Sequence, residues 1–139
     1  VSGSCGENGV VAGVESINAI TLRTADMAAS VRFYEALGFR LTYGGDEAPF
    51  STLRSGECFV NLIAVDNPAG AETGWGRVIF HVDDVDALYQ QAIDAGLTPQ
   101  AEPRDAPWGE RMFPIFDPAG HDLSFAKRIR AYEVDHPEL

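Results

Sequence analysis

The sequence predicts an α+β fold built from two βαβββ modules in tandem, and three observations carry that prediction. Two helix-sized patterns each open on a capping aspartate and close on a glycine; a shift of 58 residues superposes them, taking Asp26 to Asp84 and Gly38 to Gly96. Each helix pattern is preceded by one strand-like stretch and followed by three. The chain has 139 residues, 45% of them hydrophobic, enough for one compact domain and too few for two ordinary ones.

The elements follow in order. Val1–Ser16 is glycine-rich without usable periodicity and reads as a tail, native or added. Ile17–Arg23 alternates apolar and polar residues as a half-buried strand does. Asp26 stands where its carboxylate can accept from first-turn amides. Met27, Val31, Tyr34 and Leu37 follow at helical spacing, and Gly38 supplies the left-handed stop. Phe39–Tyr43, Phe50–Arg54 and Cys58–Val65 read as strands, divided by Gly44-Gly45 and Ser55-Gly56. The loop Asp66–Gly74, rich in Gly, Ala and Pro, connects the copies. In the second copy Arg77–Val82 is the leading strand, and Asp84 caps a helix carrying Val85, Leu88, Tyr89, Ala92 and Ile93 that stops at Gly96. Thr98–Glu102, Arg111–Phe116 and Asp122–Lys127 are the closing strands, with Pro118-Ala119-Gly120 as the last turn. The assignment is a single domain over 17–129, with modules at about 17–65 and 75–129, between an N-terminal tail 1–16 and a C-terminal tail 130–139. A module of about 50 residues cannot bury enough surface alone, so the two are expected to share one core.

Ten Lys+Arg against 21 Asp+Glu give a net charge of −11 and a pI of about 4.5. Phosphate neutralisation needs clustered cations, so a general nucleic-acid binder is excluded, as is a polybasic membrane patch. The acid excess reads chiefly as solubility, with a cationic ligand as the sharper alternative. Cys5 and Cys58 make no disulfide framework and point to a reducing, cytoplasmic setting. No apolar run approaches the roughly 18 residues of a membrane span, and the start lacks the basic end and apolar centre of a signal peptide.

With the repeat in place, the sequence resembles the vicinal oxygen chelate superfamily, the glyoxalase/bleomycin-resistance/extradiol-dioxygenase group. The resemblance is carried by Ala19-Ile20-Thr21-Leu22-Arg23, Asp26 and Phe33-Tyr34-Glu35-Ala36-Leu37-Gly38-Phe39 in the first half. In the second half it is carried by Val82-Asp83-Asp84-Val85, Ala95-Gly96 and Asp117-Pro118-Ala119-Gly120-His121. Pro107-Trp108-Gly109-Glu110-Arg111-Met112-Phe113 looks most like the bleomycin-resistance branch. The resemblance implies modules whose strands form a curved, cup-shaped mixed sheet, and a homodimer whose clefts hold a ligand.

In metal-dependent members four strand positions supply His and Glu to one divalent ion. Matched residue by residue, they are Ala19, Asn61, Arg77 and Ser124 here, and the 58-residue shift places Ala19 opposite Arg77. The four are expected to converge on one cup. Alanine has no donor, a guanidinium brings a positive charge, and amide or hydroxyl oxygens are weak ligands. No metal and no other cofactor is therefore expected. His81, His121, His136, Asp122 and Glu57 remain as potential ligands, but they lack ligand spacing, and the histidines read as ordinary surface or strand-end residues. There is no Gly-x-Ser-x-Gly elbow and Cys58 has no evident base, so no catalytic residue is assigned.

Arg77 reads either as half of an ion pair with Glu110 or an Asp, or as the fixed charge that orients a ligand in place of a metal. Phe50, Phe59, Trp75 and Trp108 fall on or beside strands expected to line the cups, as core residues or as stacking partners for a ligand. The candidate ligand-binding set is Phe50, Phe59, Asn61, Trp75, Arg77, Trp108, Glu110, Met112 and Ser124. The leading functional reading is a metal-free small-molecule-binding protein, sequestering an aromatic or amphipathic natural product as an antibiotic-resistance protein would. The alternative is a lyase, isomerase or dioxygenase-like enzyme of the same fold, with a reorganised metal site or acting through Arg77 and His81.

Overall fold

In the computed structural model, which describes residues 12–66 and 77–130, both helices form where the caps and stops require. Helix α1 (Met27–Ala36) begins after Asp26, whose carboxylate accepts from the Ala29 N–H at 3.0 Å. Helix α2 (Val85–Asp94) begins after Asp84, which accepts from Ala87 at the same distance. Beyond each helix a glycine adopts φ of 96° at Gly38 and 85° at Gly96, the left-handed region that a Cβ disfavours. The 58-residue shift thus holds for both helix boundaries.

Strands β1 (Ala19–Thr24), β2 (Arg40–Tyr43), β3 (Phe50–Ser55) and β4 (Cys58–Ala64) form one four-stranded sheet in the order β1-β4-β3-β2. Strands β5 (Arg77–His81), β6 (Arg104–Ala106), β7 (Glu110–Phe116) and β8 (Asp122–Arg128) form the second, in the equivalent order β5-β8-β7-β6. In each module the leading strand pairs parallel with the last and the remaining pairs are antiparallel, so both sheets are mixed. The leading strands β1 and β5 are therefore edges.

One expected strand is displaced. Thr98–Glu102 forms no ladder, and the short edge strand lies at Arg104–Ala106 instead. Pro99 lies within that stretch and Pro103 follows it, and neither has an N–H to donate; among the described residues only Gln100 makes a backbone bond across to Pro114, at 2.9 Å. The repeat therefore slips after Gly96, where the two prolines have no counterpart in Arg40–Tyr43.

Side-chain alternation gives each sheet a helix-facing side and an open side. Leu22, Leu53, Val60 and Leu62 of the first sheet and Phe113, Ile115, Leu123 and Phe125 of the second are almost wholly buried. They join Val31, Tyr34, Val85 and Ala92 of the helices in one cluster spanning both modules. Burying each such side chain contributes about 1.5–3 kcal/mol, so neither module keeps its share without the other. Rings run through this core from one helix to the other: Tyr34–Phe39 at 5.1 Å, Phe39–Phe80 at 5.0 Å, Phe80–Phe125 at 5.2 Å, Phe125–Phe113 at 5.6 Å and Phe113–Tyr89 at 5.5 Å. Edge-on contacts dominate, as ring quadrupoles favour.

A buried polar knot also ties the halves. The Tyr34 hydroxyl donates to Asp117 Oδ2 at 2.7 Å, and His121 Nδ1 lies 2.9 Å from the same oxygen. His121 is only 4% exposed, which corrects the expectation of an ordinary surface or strand-end histidine. Asp117 turns the chain between β7 and β8 by accepting from the Ala119 and His121 N–H groups, and this places the ring inside. Among the described residues no helix is long and apolar enough to cross a membrane.

Candidate functional site

The open sides of the two sheets are built from rows of directly opposed residues. On the first sheet one row runs Thr52–Asn61–Thr21, the next Arg40–Arg54–Phe59–Ala19, and a third Phe50–Ile63–Arg23. Asn61 is fixed within its row: its Oδ1 accepts from Thr52 Oγ1 at 2.8 Å and its Nδ2 donates to Thr21 Oγ1 at 3.3 Å. The Arg54 guanidinium lies over the Phe59 ring, 5.5 Å from its centroid, a cation–π contact. Phe50 and Phe59 are half-buried on this side and stand outside the core cluster.

On the second sheet the rows are Asp122–Arg77, Pro114–Ser124–Ile79, Arg104–Met112–Ala126–His81 and Ala106–Glu110–Arg128. Arg77 pairs with Asp122 at 3.4 Å, each side chain part-exposed, and not with Glu110. Trp108, on the turn between β6 and β7, donates its indole N–H to Glu110 Oε1 at 2.9 Å and packs against Ala106, Met112 and Ala126. Met112 is buried in that small cluster. Arg111 points to the other side of its strand, where it binds Asp86 of α2 and Asp105 of β6 at 2.9 Å each. Hydrogen bonding to Arg111 holds the Asp86 carboxyl below the usual carboxylate range.

The four positions matched to the metal site lie as two pairs, Ala19 and Asn61 on the open side of one sheet, Arg77 and Ser124 on that of the other. As a donor set they do not fit a divalent transition ion. Asn61 already spends its oxygen on Thr52, Arg77 is a cation paired with Asp122, and Ala19 offers nothing. Ser124 is 1% exposed and its hydroxyl has no hydrogen-bond partner, wedged between Pro114 and Ile79. Among the described residues no three His, Cys, Asp or Glu side chains come together in a way that would hold a metal. Trp75, Cys5 and His136 lie outside the described residues.

Crevices follow the seam between the modules. A largely apolar one, about 420 Å³, is lined by Ile17, Ile20 and Phe59 from the first module and by Ile79, Phe80 and His81 from the second. That volume falls in the range of small-molecule sites. A smaller one of about 160 Å³ shares Ser55, Gly56, Phe80 and His81 with it and adds Arg54. A third of about 510 Å³ lies at the start of α2, and His81 lines all three. Arg40 and Arg54 were not among the candidates the sequence singled out. Strand alternation was the available signal, because placing Leu53 in the core sends Arg54 to the open side.

The family model described as the Glyoxalase/Bleomycin resistance protein/Dioxygenase superfamily matches residues 16–125. A bleomycin resistance protein of Geobacillus stearothermophilus is 30% identical over 127 aligned residues, covering 79% of this chain and 95% of that protein. An uncharacterized protein of Mycobacterium bovis is 39% identical over 54 residues, 39% of this chain; the match spans 36% of that relative's length. TioX from Micromonospora sp. ML1 superposes with a TM-score of 0.65 at 25% identity, over 82% of this chain and 99% of that one. A bleomycin-binding protein complexed with bleomycin superposes with a TM-score of 0.64 at 22% identity, over 83% and 99%, a likeness of fold.

Proposed function

The chain belongs to the Glyoxalase/Bleomycin resistance protein/Dioxygenase superfamily, and from that premise we propose that it is a small-molecule-binding protein that works without a metal. The observation that carries this reading is the donor set: of Ala19, Asn61, Arg77 and Ser124, which the resemblance matches to the ligand positions of metal-dependent members, none suits a transition ion. The similarity to a bleomycin resistance protein along most of both chains supports a small-molecule ligand. The ligand is held by the open sheet sides and the seam crevice, with Phe50, Phe59 and Trp108 as stacking surfaces and Asn61, Arg77 and Glu110 as polar contacts. Function in a cytoplasmic homodimer belongs to the same proposal, since β1 and β5 leave edges that a second copy would cover.

Two measurements test it. Metal analysis of protein purified without chelator is expected to find well below one equivalent of Ni, Zn, Mn or Fe. A thermal-shift screen of antibiotics and aromatic metabolites, bleomycin included, is expected to yield at least one ligand. At 100 times its Kd such a ligand adds about 2.7 kcal/mol of stability. About one equivalent of bound metal would overturn the proposal in favour of an enzyme.

A further inference from the structure

We propose that the open side of the first sheet is an anion seat. The ligand is then an amphipathic anion, its charged group held between Arg40 and Arg54 and its apolar body in the adjoining seam crevice. This rests on the small-molecule reading and specifies its chemistry. A net charge of −11 suggests the opposite sign, yet the charge is not evenly spread. The strands AITLRT, RLTY, FSTLRS and CFVNLIA contain three arginines and no acidic residue. All three, Arg23, Arg40 and Arg54, are exposed on the side away from the helices.

Arg40 and Arg54 are directly opposed in the β2–β3 ladder. Like charges at directly opposed positions destabilise a sheet. Three other arginines of the chain are ion-paired: Arg32 with Asp46, Arg77 with Asp122, and Arg111 with Asp86 and Asp105. Among the described residues neither Arg40 nor Arg54 meets a carboxylate. A bound oxyanion removes the repulsion and suits the forked donors of two guanidinium groups.

The neighbouring surface specifies the rest of the ligand. Arg54 lies over Phe59, so charge and ring are already in contact. Arg54 lines the 160 Å³ crevice and Phe59 the 420 Å³ crevice, and the two spaces share Ser55, Gly56, Phe80 and His81. A carboxylate, sulfonate or phosphate at the arginines therefore places an attached aromatic or aliphatic group against Ile20, Phe59 and Phe80. A cationic ligand of the same size is repelled by the two guanidinium groups at this seat.

The test uses two dyes of similar size and opposite charge, anilinonaphthalene sulfonate and thioflavin T, titrated by fluorescence at low salt against the full chain. The sulfonate is expected to bind in preference to thioflavin T and to weaken as salt is added, because exposed charges are screened. In the double variant Arg40→Gln/Arg54→Gln its affinity should fall at least tenfold, with near-ultraviolet circular dichroism unchanged. Arg54→Gln alone should show a smaller loss and serves if the double variant does not fold. Sulfonate affinity within twofold of the parent in a folded variant overturns the seat. Thioflavin T bound more tightly than the sulfonate overturns the anionic class while leaving small-molecule binding intact, whereas no binding of either dye overturns both.

Discussion

Replacing Tyr34 with phenylalanine probes the polar knot between the modules. The tyrosine is 0% exposed, its ring packs edge-on against Phe33 and Phe39, and its hydroxyl donates to Asp117 Oδ2 at 2.7 Å. Phenylalanine keeps the ring and removes only the donor. A hydrogen bond to a charged group contributes about 1.5–3 kcal/mol. Asp117 is not orphaned by the change, because His121 Nδ1 still reaches Oδ2 at 2.9 Å and two backbone N–H groups still serve Oδ1. The expected loss is therefore about 2 kcal/mol, or roughly 8 °C in Tm. Alkaline pH gives a second signature. Burial, then the negative charge of Asp117 and its hydrogen bond, push the Tyr34 phenol well above its usual 10.0. The folded protein keeps that proton where the unfolded chain releases it. The contribution is thus complete below the unfolded value and is lost as pH rises from about 10 towards the folded one, by up to about 1.4 kcal/mol per pH unit. Urea unfolding of both proteins at pH 7, 9 and 11 measures both effects, and the difference between them should shrink at pH 11. A variant within 0.5 kcal/mol of the parent at pH 7, with the same alkaline slope, would refute the reasoning.

Three further outcomes are expected. Asp26→Ala and Asp84→Ala each remove a helix cap, cost about 1 kcal/mol in denaturant unfolding, and add when combined because the caps share no partner. Ser124→Ala should leave the free protein as stable or raise it by about 1 kcal/mol, since the buried hydroxyl has no partner to lose; a loss above that size would show a bond the free chain makes. Light scattering at micromolar concentration should give a mass near twice 15.0 kDa, and a mass near one chain would count against the homodimer.

Both helices, their caps and stops, and seven of the eight strands were legible in the sequence, because cap chemistry and alternation are local signals. The short strand before Trp108 was not: alternation in Thr98–Glu102 looked adequate, and the weight of Pro99 and Pro103 appears only when a ladder must be closed. His121 was misread for a different reason. Its burial depends on Asp117, four residues earlier, and on Tyr34, 83 residues before that aspartate, and no pattern in the sequence reports such a meeting. At the candidate site, alternation gave the faces of Asn61 and Arg77, whereas Trp108 lies on a turn. The partners of Arg77 and Glu110 were set by cross-strand register and a turn, which the sequence does not fix.

The shared core dictates an order of events during synthesis. The first module's ladders can close once residue 64 has been made, since β1 needs only β4 as its partner. Its inner face then still presents Phe39, whose covering rings Phe80 and Phe125 come later in the chain. Until Phe125 has left the ribosome, the nascent chain displays an oily half-structure with two bare sheet edges, the kind of species that chaperones bind and that aggregates when they are scarce. A chain cut short before β8 is thus a sticky fragment rather than a smaller working protein, and quality control would meet it as such.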